Sequence, residues 1–436
     1  MLSSADGLNY LGEHQMYYPV QNIEDEYSGN RIHFFAEEDM GGFDDLWSSY
    51  GFYNDTSFDI GGPIMPSEQQ FSEFADDMQV DTISAAIQSL YNPIASAAEV
   101  EQTLDSLVHA LREKIKRETG KFSCKGTNER DLVAQDMIKA LQTSHPVNLV
   151  TFEKIAFGKI IHFTSIQTIF DNVASVKRIH MIDLSIRHGV QWTILMQVLA
   201  TRSSCQINNV KISAIGTSEE AINTTGKRLI SFAESLSLPF IFKVVIVPDV
   251  KDLKDNMFDV KEGEAIAVYS SMDMSYMIVR RDRLETVMRA IRKLRPCIMT
   301  VAEVEAKHNS PSLINRFTEA LFYFSAFFDC IGSCMEVDTN GKFVEERFFS
   351  QGIRSIIATE GSERLVRHVG ISVCRSFFAH YQLVEAELNQ WSFYQASLLV
   401  KQFVNGNSYT LEKNGKALLV GWKGTPLHFL SAWKFQ

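Results

Sequence analysis

From His145-Pro146 onward the chain alternates short β-rich runs with amphipathic helices, and this order narrows the possible folds more than any other feature of the sequence. Ile179-His180-Met181-Ile182-Asp183 reads as a buried strand, followed by a helix whose apolar face is Trp192, Leu195, Met196 and Leu199. Residues 210–215 read as a second strand. A helix over 217–236 follows, opened by Thr217 three positions before Glu220 in a capping box. Residues 240–247 and 264–269 read as third and fourth strands. Leu284, Val287, Met288, Ile291 and Leu294 form one helix face, stopped by Pro296 before a strand at 297–301. Such alternation makes a parallel sheet with helices on both faces.

The end of the chain changes pattern. Residues 383–388 read as a strand, and Phe393, Ala396, Leu399, Val400 and Phe403 as a helix capped at Gly406. Residues 409–412 then pair with 417–422 across Asn414-Gly415, the strongest short hairpin signal. A doubly wound sheet ending in an antiparallel hairpin is the architecture of methyltransferase-like Rossmann folds. The expected organisation is an N-terminal segment over 1–80 and a domain over 81–436, comprising a helical cap at 81–150 and the α/β core at 151–436. In the cap, Leu104, Leu107, Val108, Leu111 and Ile115 have helical spacing, and Leu132, Ala134, Met137, Ile138 and Leu141 suggest a second helix.

Charge divides the chain. Residues 1–80 hold 16 Asp or Glu and one base, Arg31, a net of −15, while the other 356 residues hold 41 bases against 37 acids, a net of +4. The acidic segment is rich in aromatics, Trp47, Phe52 and Tyr53 among them, and has no sustained period. That composition fits a disordered activation segment that docks on co-regulators; a variable tail without an autonomous role is the alternative. The longest nearly apolar stretch, 320–332, is shorter than the roughly 18 residues of a membrane span, and the N-terminus lacks a signal-peptide pattern, so a soluble chain with no membrane partner is expected. Six scattered cysteines without a C-x-x-C pair argue for a reducing compartment and buried structural thiols rather than a disulfide or zinc framework.

Two basic groupings stand out. Arg112, Lys114, Lys116, Arg117, Lys121 and Lys125 could serve nuclear import or phosphate contact, or form a solvated helix face. Arg280, Arg281, Arg283, Arg289, Arg292, Lys293 and Arg295 surround one helix and are the best local basic patch; they read as its solvated face, with direct DNA contact as the alternative. A net of +4 over 356 residues is not a concentrated phosphate-binding surface.

Catalytic patterns are weak. An adenosine cofactor needs a glycine-rich turn after the first strand, yet residues 183–189, Asp-Leu-Ser-Ile-Arg-His-Gly, contain one glycine, and Gly216-Thr217 stands where a ribose-binding acid is expected. No catalytic residue, cofactor or metal is expected. No G-x-S-x-G, Walker A or H-E-x-x-H run occurs. His308, after Glu303 and Glu305, fits a structural hydrogen-bond network better than a general base.

These residues also carry a resemblance. Ile179-His180-Met181-Ile182-Asp183 with Gln191-Trp192 resembles the VHIID motif of the GRAS family of plant transcriptional regulators, and residues 162–167, His-Phe-Thr-Ser-Ile-Gln, its lead-in. Glu305, His308, Asn309, Arg316 and Phe317 lie in a stretch similar to the PFYRE region. Glu360, Glu363, Arg364, Arg367 and His368 resemble the RVER region, and Trp422, Ser431, Ala432 and Trp433 the closing SAW motif. The family's proline after Gln-Trp is Thr193 here, and Ser362, Val366 and Val369 also depart from its pattern. No DELLA-type motif occurs in 1–80. The resemblance implies a nuclear, non-enzymatic regulator that pairs with GRAS proteins, as homo- or heterodimer, and with DNA-binding transcription factors. An adenosylmethionine-dependent methyltransferase and a direct DNA-binding factor are the alternatives. Trp433 reads as a core anchor rather than a partner contact.

Overall fold

The computed structural model describes residues 97–120, 154–202, 205–247, 249–278, 281–335 and 350–436. The expected segment 1–80, the second cap helix, Lys121, Lys125, Cys124 and Arg280 lie outside these residues. Three strands in near-continuous apolar runs form the centre: β1 (Arg178–Asp183), β4 (Ala265–Ser271) and β5 (Ile298–Val304), the last buried throughout. With β2 (Asn209–Gly216) and β3 (Phe240–Ile246) they form a parallel set in the order β3-β2-β1-β4-β5. Burial on both faces is what such runs of Ile, Val and Ala specify.

Helix α1 is Ala97–Glu118 and α2 is Ala156–Val173. The crossover helices are α3 (Val190–Ala200), α4 (Glu219–Ser235) and α5 (Arg281–Leu294). The chain steps outward from β1 through β2 to β3, then back to β4 and on to β5, so right-handed crossovers place α3 and α4 on one face and α5 on the other. The cap of α4 is Ser218, whose hydroxyl accepts from the Ala221 amide, not the expected Thr217. Gly189 opens α3 at φ 64°, and a Cβ there would stand 3.0 Å from Thr225 Cγ2, so both backbone angle and space call for glycine.

After β5 come α6 (Leu313–Cys334), α7 (Ser350–Ala358), α8 (Ile371–His380), β6 (Leu383–Ala386) and α9 (Gln390–Val400). Helix α9 ends at Val400 rather than running to Gly406, because residues 401–405 leave the helix in successive turns. Strands β7 (Tyr409–Asn414) and β8 (Ala417–Trp422) form the expected hairpin, with Gly415 at φ 59° in the turn. The long β9 (Thr425–Phe435) runs antiparallel to β5, β6 and β8 and joins the hairpin to the parallel set. Helix α1 packs on α6 and α7, so this part of the expected cap is joined to the core. Among the described residues no helix is long and apolar enough to cross a membrane.

Candidate functional site

The first polar centre lies off the C-terminal ends of β1, β4 and β5, where open α/β sheets hold ligands. Asp183 ends β1. Its Oδ2 accepts from Trp192 Nε1 at 2.8 Å and Gln191 Nε2 at 3.1 Å, and its Oδ1 from the Ser185 amide at 3.1 Å. Leu184 and Ile186 in the same turn are buried. Asp273 follows β4 and Glu303 belongs to β5. Glu303 Oε1 accepts from the amides of Asp273 at 2.8 Å and Met274 at 2.6 Å, and Asp273 Oδ1 lies 3.8 Å from Arg187.

Burial pushes Asp183 up to about 7 and Glu303 up to about 8, and raises Asp273 as well; Asp273 adds to the rise of the other two and Arg187 offsets this only in part. Beside them Tyr269 Oη and His162 Nδ1 stand 2.7 Å apart, and burial brings His162 down to about 3. His180, central in β1, sits 2.8 Å from Ser213 Oγ and 3.2 Å from Glu264, and burial lowers it to about 4, so it is neutral at pH 7.

The second centre ties the loop after β5 to the segment between α7 and α8. Arg316, 1% exposed, donates through Nε to the Ile356 carbonyl at 2.9 Å and through Nη1 to the carbonyls of Ser310 at 2.9 Å and Pro311 at 3.0 Å, and pairs with Glu360. Glu360 also meets Lys114 of α1 at 3.0 Å and Arg364 at 3.8 Å. Arg367 donates to Asn309 Oδ1 at 3.1 Å and to the carbonyls of Arg364 and Gly361. Glu113 takes both Arg117 and Arg354, and Arg117 reaches Glu363 at 2.9 Å.

Lys114 and Arg117 are therefore ties between α1 and the core rather than part of a solvated helix face. Glu305 Oε2 accepts from the first amide of α8, that of Ile371, at 2.8 Å, and Phe317 is buried on α6. His308 stacks on Phe324, and its Nδ1 lies 2.8 Å from that of His368; burial holds both rings neutral, His368 down to about 3.

At the third place, Trp422 donates to Asp329 and meets Tyr409 edge-on at 4.8 Å. Ala432 pairs with Thr300 of β5 on one side and Ala386 of β6 on the other. Trp433 packs on Phe378 at 4.5 Å and donates to Ser431 Oγ at 2.9 Å. The basic helix α5 presents a broken patch. Arg283 pairs with Asp249 at 3.0 Å, Lys293 with Asp255 at 3.1 Å, and Arg292 donates to Gln382 at 3.0 Å, while Arg289 and Arg295 are exposed.

Sequence reading did not single out Asp273, Glu113 or Arg354. Arg354 meets Glu113, and Asp273 meets Arg187 and lends its amide to Glu303, only through tertiary contact, which no local spacing announces. Among the described residues no group of His, Cys, Asp and Glu is arranged to hold a metal.

Residues 71–434 match the GRAS domain family. The DELLA protein GAI1 of Vitis vinifera is 29% identical over 399 residues, 87% of this chain and 67% of that protein. DELLA protein 2 of Medicago truncatula is 30% identical over 373 residues, 82% of this chain and 69% of that protein. The crystal structure of SCL7 in Oryza sativa superimposes with a TM-score of 0.67 at 24% identity, over 78% of this chain and 91% of that one, a likeness of fold.

Proposed function

The chain belongs to the GRAS family of plant transcriptional regulators, and from that premise we propose that it regulates transcription in the nucleus by protein contact rather than by catalysis. In this reading it pairs with other GRAS proteins and with DNA-binding transcription factors, and residues 1–80 engage co-regulators. The observation that carries it is the turn after β1. The Asp183 carboxylate that would face a cofactor is occupied by Trp192, Gln191 and the Ser185 amide, and Leu184 and Ile186 put buried side chains where a cofactor needs bare backbone. Direct DNA contact through α5 is disfavoured, since Arg283 and Lys293 are paired with Asp249 and Asp255.

Calorimetry of the full chain with adenosylmethionine tests the non-catalytic half. No heat of binding is expected, and micromolar affinity would replace this reading with the methyltransferase. Fusing residues 1–80 to a heterologous DNA-binding domain tests the other half. Reporter output should rise and should fall again when Trp47, Phe52 and Tyr53 become Ala, while an inert fusion returns the segment to a tail.

A further inference from the structure

The C-terminal end of α6 holds an arrangement that neither polar centre uses. Cys330 and Cys334 stand one helical turn apart, and each sulfur lies 3.6 Å from the hydroxyl of Tyr409. That hydroxyl accepts from the Ala156 amide at 3.1 Å, so its own proton is free to be donated to a sulfur. Cys330 is fully buried beneath, whereas Cys334 is the last residue of the helix and is partly exposed. One thiol thus meets solvent and the other stands behind it.

We propose that Cys334 is a thiol reactive toward hydrogen peroxide and that Cys330 is its resolving partner. In the first step the Cys334 thiolate attacks the peroxide; a sulfur–oxygen bond forms, the oxygen–oxygen bond breaks, and the leaving oxide takes up a proton equal to the one the thiol released, giving water and a sulfenic acid. In the second step the Cys330 sulfur displaces the hydroxyl; a disulfide forms, the sulfur–oxygen bond breaks, and the thiol proton leaves with the hydroxyl as a second water. Two thiols are oxidised by two electrons and one peroxide is reduced by two.

The surroundings support the division of roles. Hydrogen bonding with Cys330, with help from Tyr409, outweighs partial burial and brings the Cys334 thiol down to about 7, whereas burial drives Cys330 well above the ordinary thiol value. Asp329 opposes ionisation of both sulfurs, but its carboxylate is itself met by Lys423 at 2.7 Å. Burial instead raises Cys297 and Cys374.

Closing the disulfide requires movement. Cβ atoms four apart on a helix stand about 5–6 Å from one another, and a disulfide needs about 3.5–4.5 Å, so the last turn must unwind. The Met335 amide, which donates to the Ile331 carbonyl at 2.8 Å, would be released, and the contacts of Asn405 with the Ser333 carbonyl and of Tyr409 with the first turn of α2 would be strained.

The test treats the purified full chain with a few equivalents of hydrogen peroxide, blocks free thiols and maps peptides by mass. The fragment carrying both cysteines should appear two hydrogen masses lighter and return to the dithiol on reduction. Cys334 should react at least about tenfold faster than the partly exposed Cys205. Cys330→Ser should leave Cys334 as a sulfenic acid that dimedone labels, and Cys334→Ser should give no cross-link. Equal rates at Cys334 and Cys205, or over-oxidation of Cys334 in the unmutated chain without a cross-link, would overturn the proposal.

Discussion

Off the ends of the parallel strands, Asp183, Asp273 and Glu303 face Arg187, whereas at the seam between α1 and the core Glu113 and Glu360 meet Arg117, Arg354, Arg316, Lys114 and Arg364. Burial works against ionisation in both places. At the seam the guanidinium and ammonium partners outweigh it and hold Glu113 and Glu360 below the usual carboxylate range. At the strand ends nothing matches it, and the acids are driven upward into the neutral range. The same residue types thus do different work. Matched charges join segments far apart in sequence, while the unmatched acids act as hydrogen-bond acceptors for a tryptophan, a glutamine and backbone amides.

The sharpest way to break that comparison is to remove one charge from each side. Arg316→Ala would leave the carbonyls of Ile356 and Pro311 and the inner face of Glu360 without that donor, leave the Ser310 carbonyl to Arg364 alone, and open a cavity at a buried site. A loss of about 3–5 kcal/mol is expected, nearer 3 because half of the Glu360 side chain remains hydrated. Glu303→Gln keeps an oxygen for the Asp273 and Met274 amides and removes a buried acid, so a change under about 1 kcal/mol is expected. Denaturant melts at pH 7 that gave the two substitutions equal effects would dissolve the distinction.

A second pair acts within the strand-end centre. Asp183→Leu strands two buried donors, Trp192 Nε1 and Gln191 Nε2, at about 1–3 kcal/mol each, and should lower stability by about 2–4 kcal/mol. Asp183→Asn retains acceptor oxygen toward them and should cost about 1 kcal/mol. If asparagine proves as damaging as leucine, the negative charge itself is needed and the neutral-acceptor account is wrong.

How much of this was legible in the sequence follows from the range of the forces involved. The β1 strand, the face of α3 and the hairpin across Asn414-Gly415 are set by periodicity and turn chemistry within about ten residues, and they stand where the pattern put them. The turn after β1 was legible for the same reason, since a missing glycine is local. That Lys114 and Arg117 tie α1 to the core was not legible, because Glu360 and Glu363 lie 246 residues away. The end of α9 was misread because a glycine was weighed as a stop while the preceding residues had already left the helix. The embedding of Trp433 against Phe378 agrees with reading that residue as a core anchor, but the contact depends on the α8 packing that no spacing reveals.

The pH profile sharpens the comparison further. His162 and His368 titrate near 3 and His180 and His428 near 4, all by burial, against about 6.5 in an unfolded chain. The folded form therefore binds fewer protons than the unfolded one below pH 6.5, and stability falls on acidification through that range. Asp183 and Glu303 do the reverse. Unfolded carboxyls ionise near about 4, so the folded form holds extra protons up to about 7 and 8, and stability falls as pH rises toward those values. The depressed histidines, His308 among them, outnumber the raised acids, Asp273 among them, so the melting temperature should peak near neutral pH. In Glu303→Gln the alkaline decline should end near about pH 7 instead of about 8. An unchanged alkaline limb in that variant would mean that Glu303 is already ionised in the folded protein.

The smallest effect belongs to the outer rim of the seam. Arg117 reaches Glu363 at 2.9 Å, but the Glu363 side chain is 41% exposed, so solvent already screens the pair. Glu363→Gln should cost no more than about 0.5 kcal/mol and should cost nothing measurable at high salt, because an exposed pair fades as ions screen it. Arg117 keeps its inner partner Glu113 at 2.7 Å in that variant, so the tie between α1 and the core remains. Adding Glu113→Gln removes the acid that Arg117 and Arg354 share, and the double variant should lose much more than the sum of an exposed pair and a conservative change. If the two substitutions instead add up as independent small losses, the seam is a set of separate surface pairs, and the contrast with the unmatched acids at the strand ends reduces to a difference in burial alone.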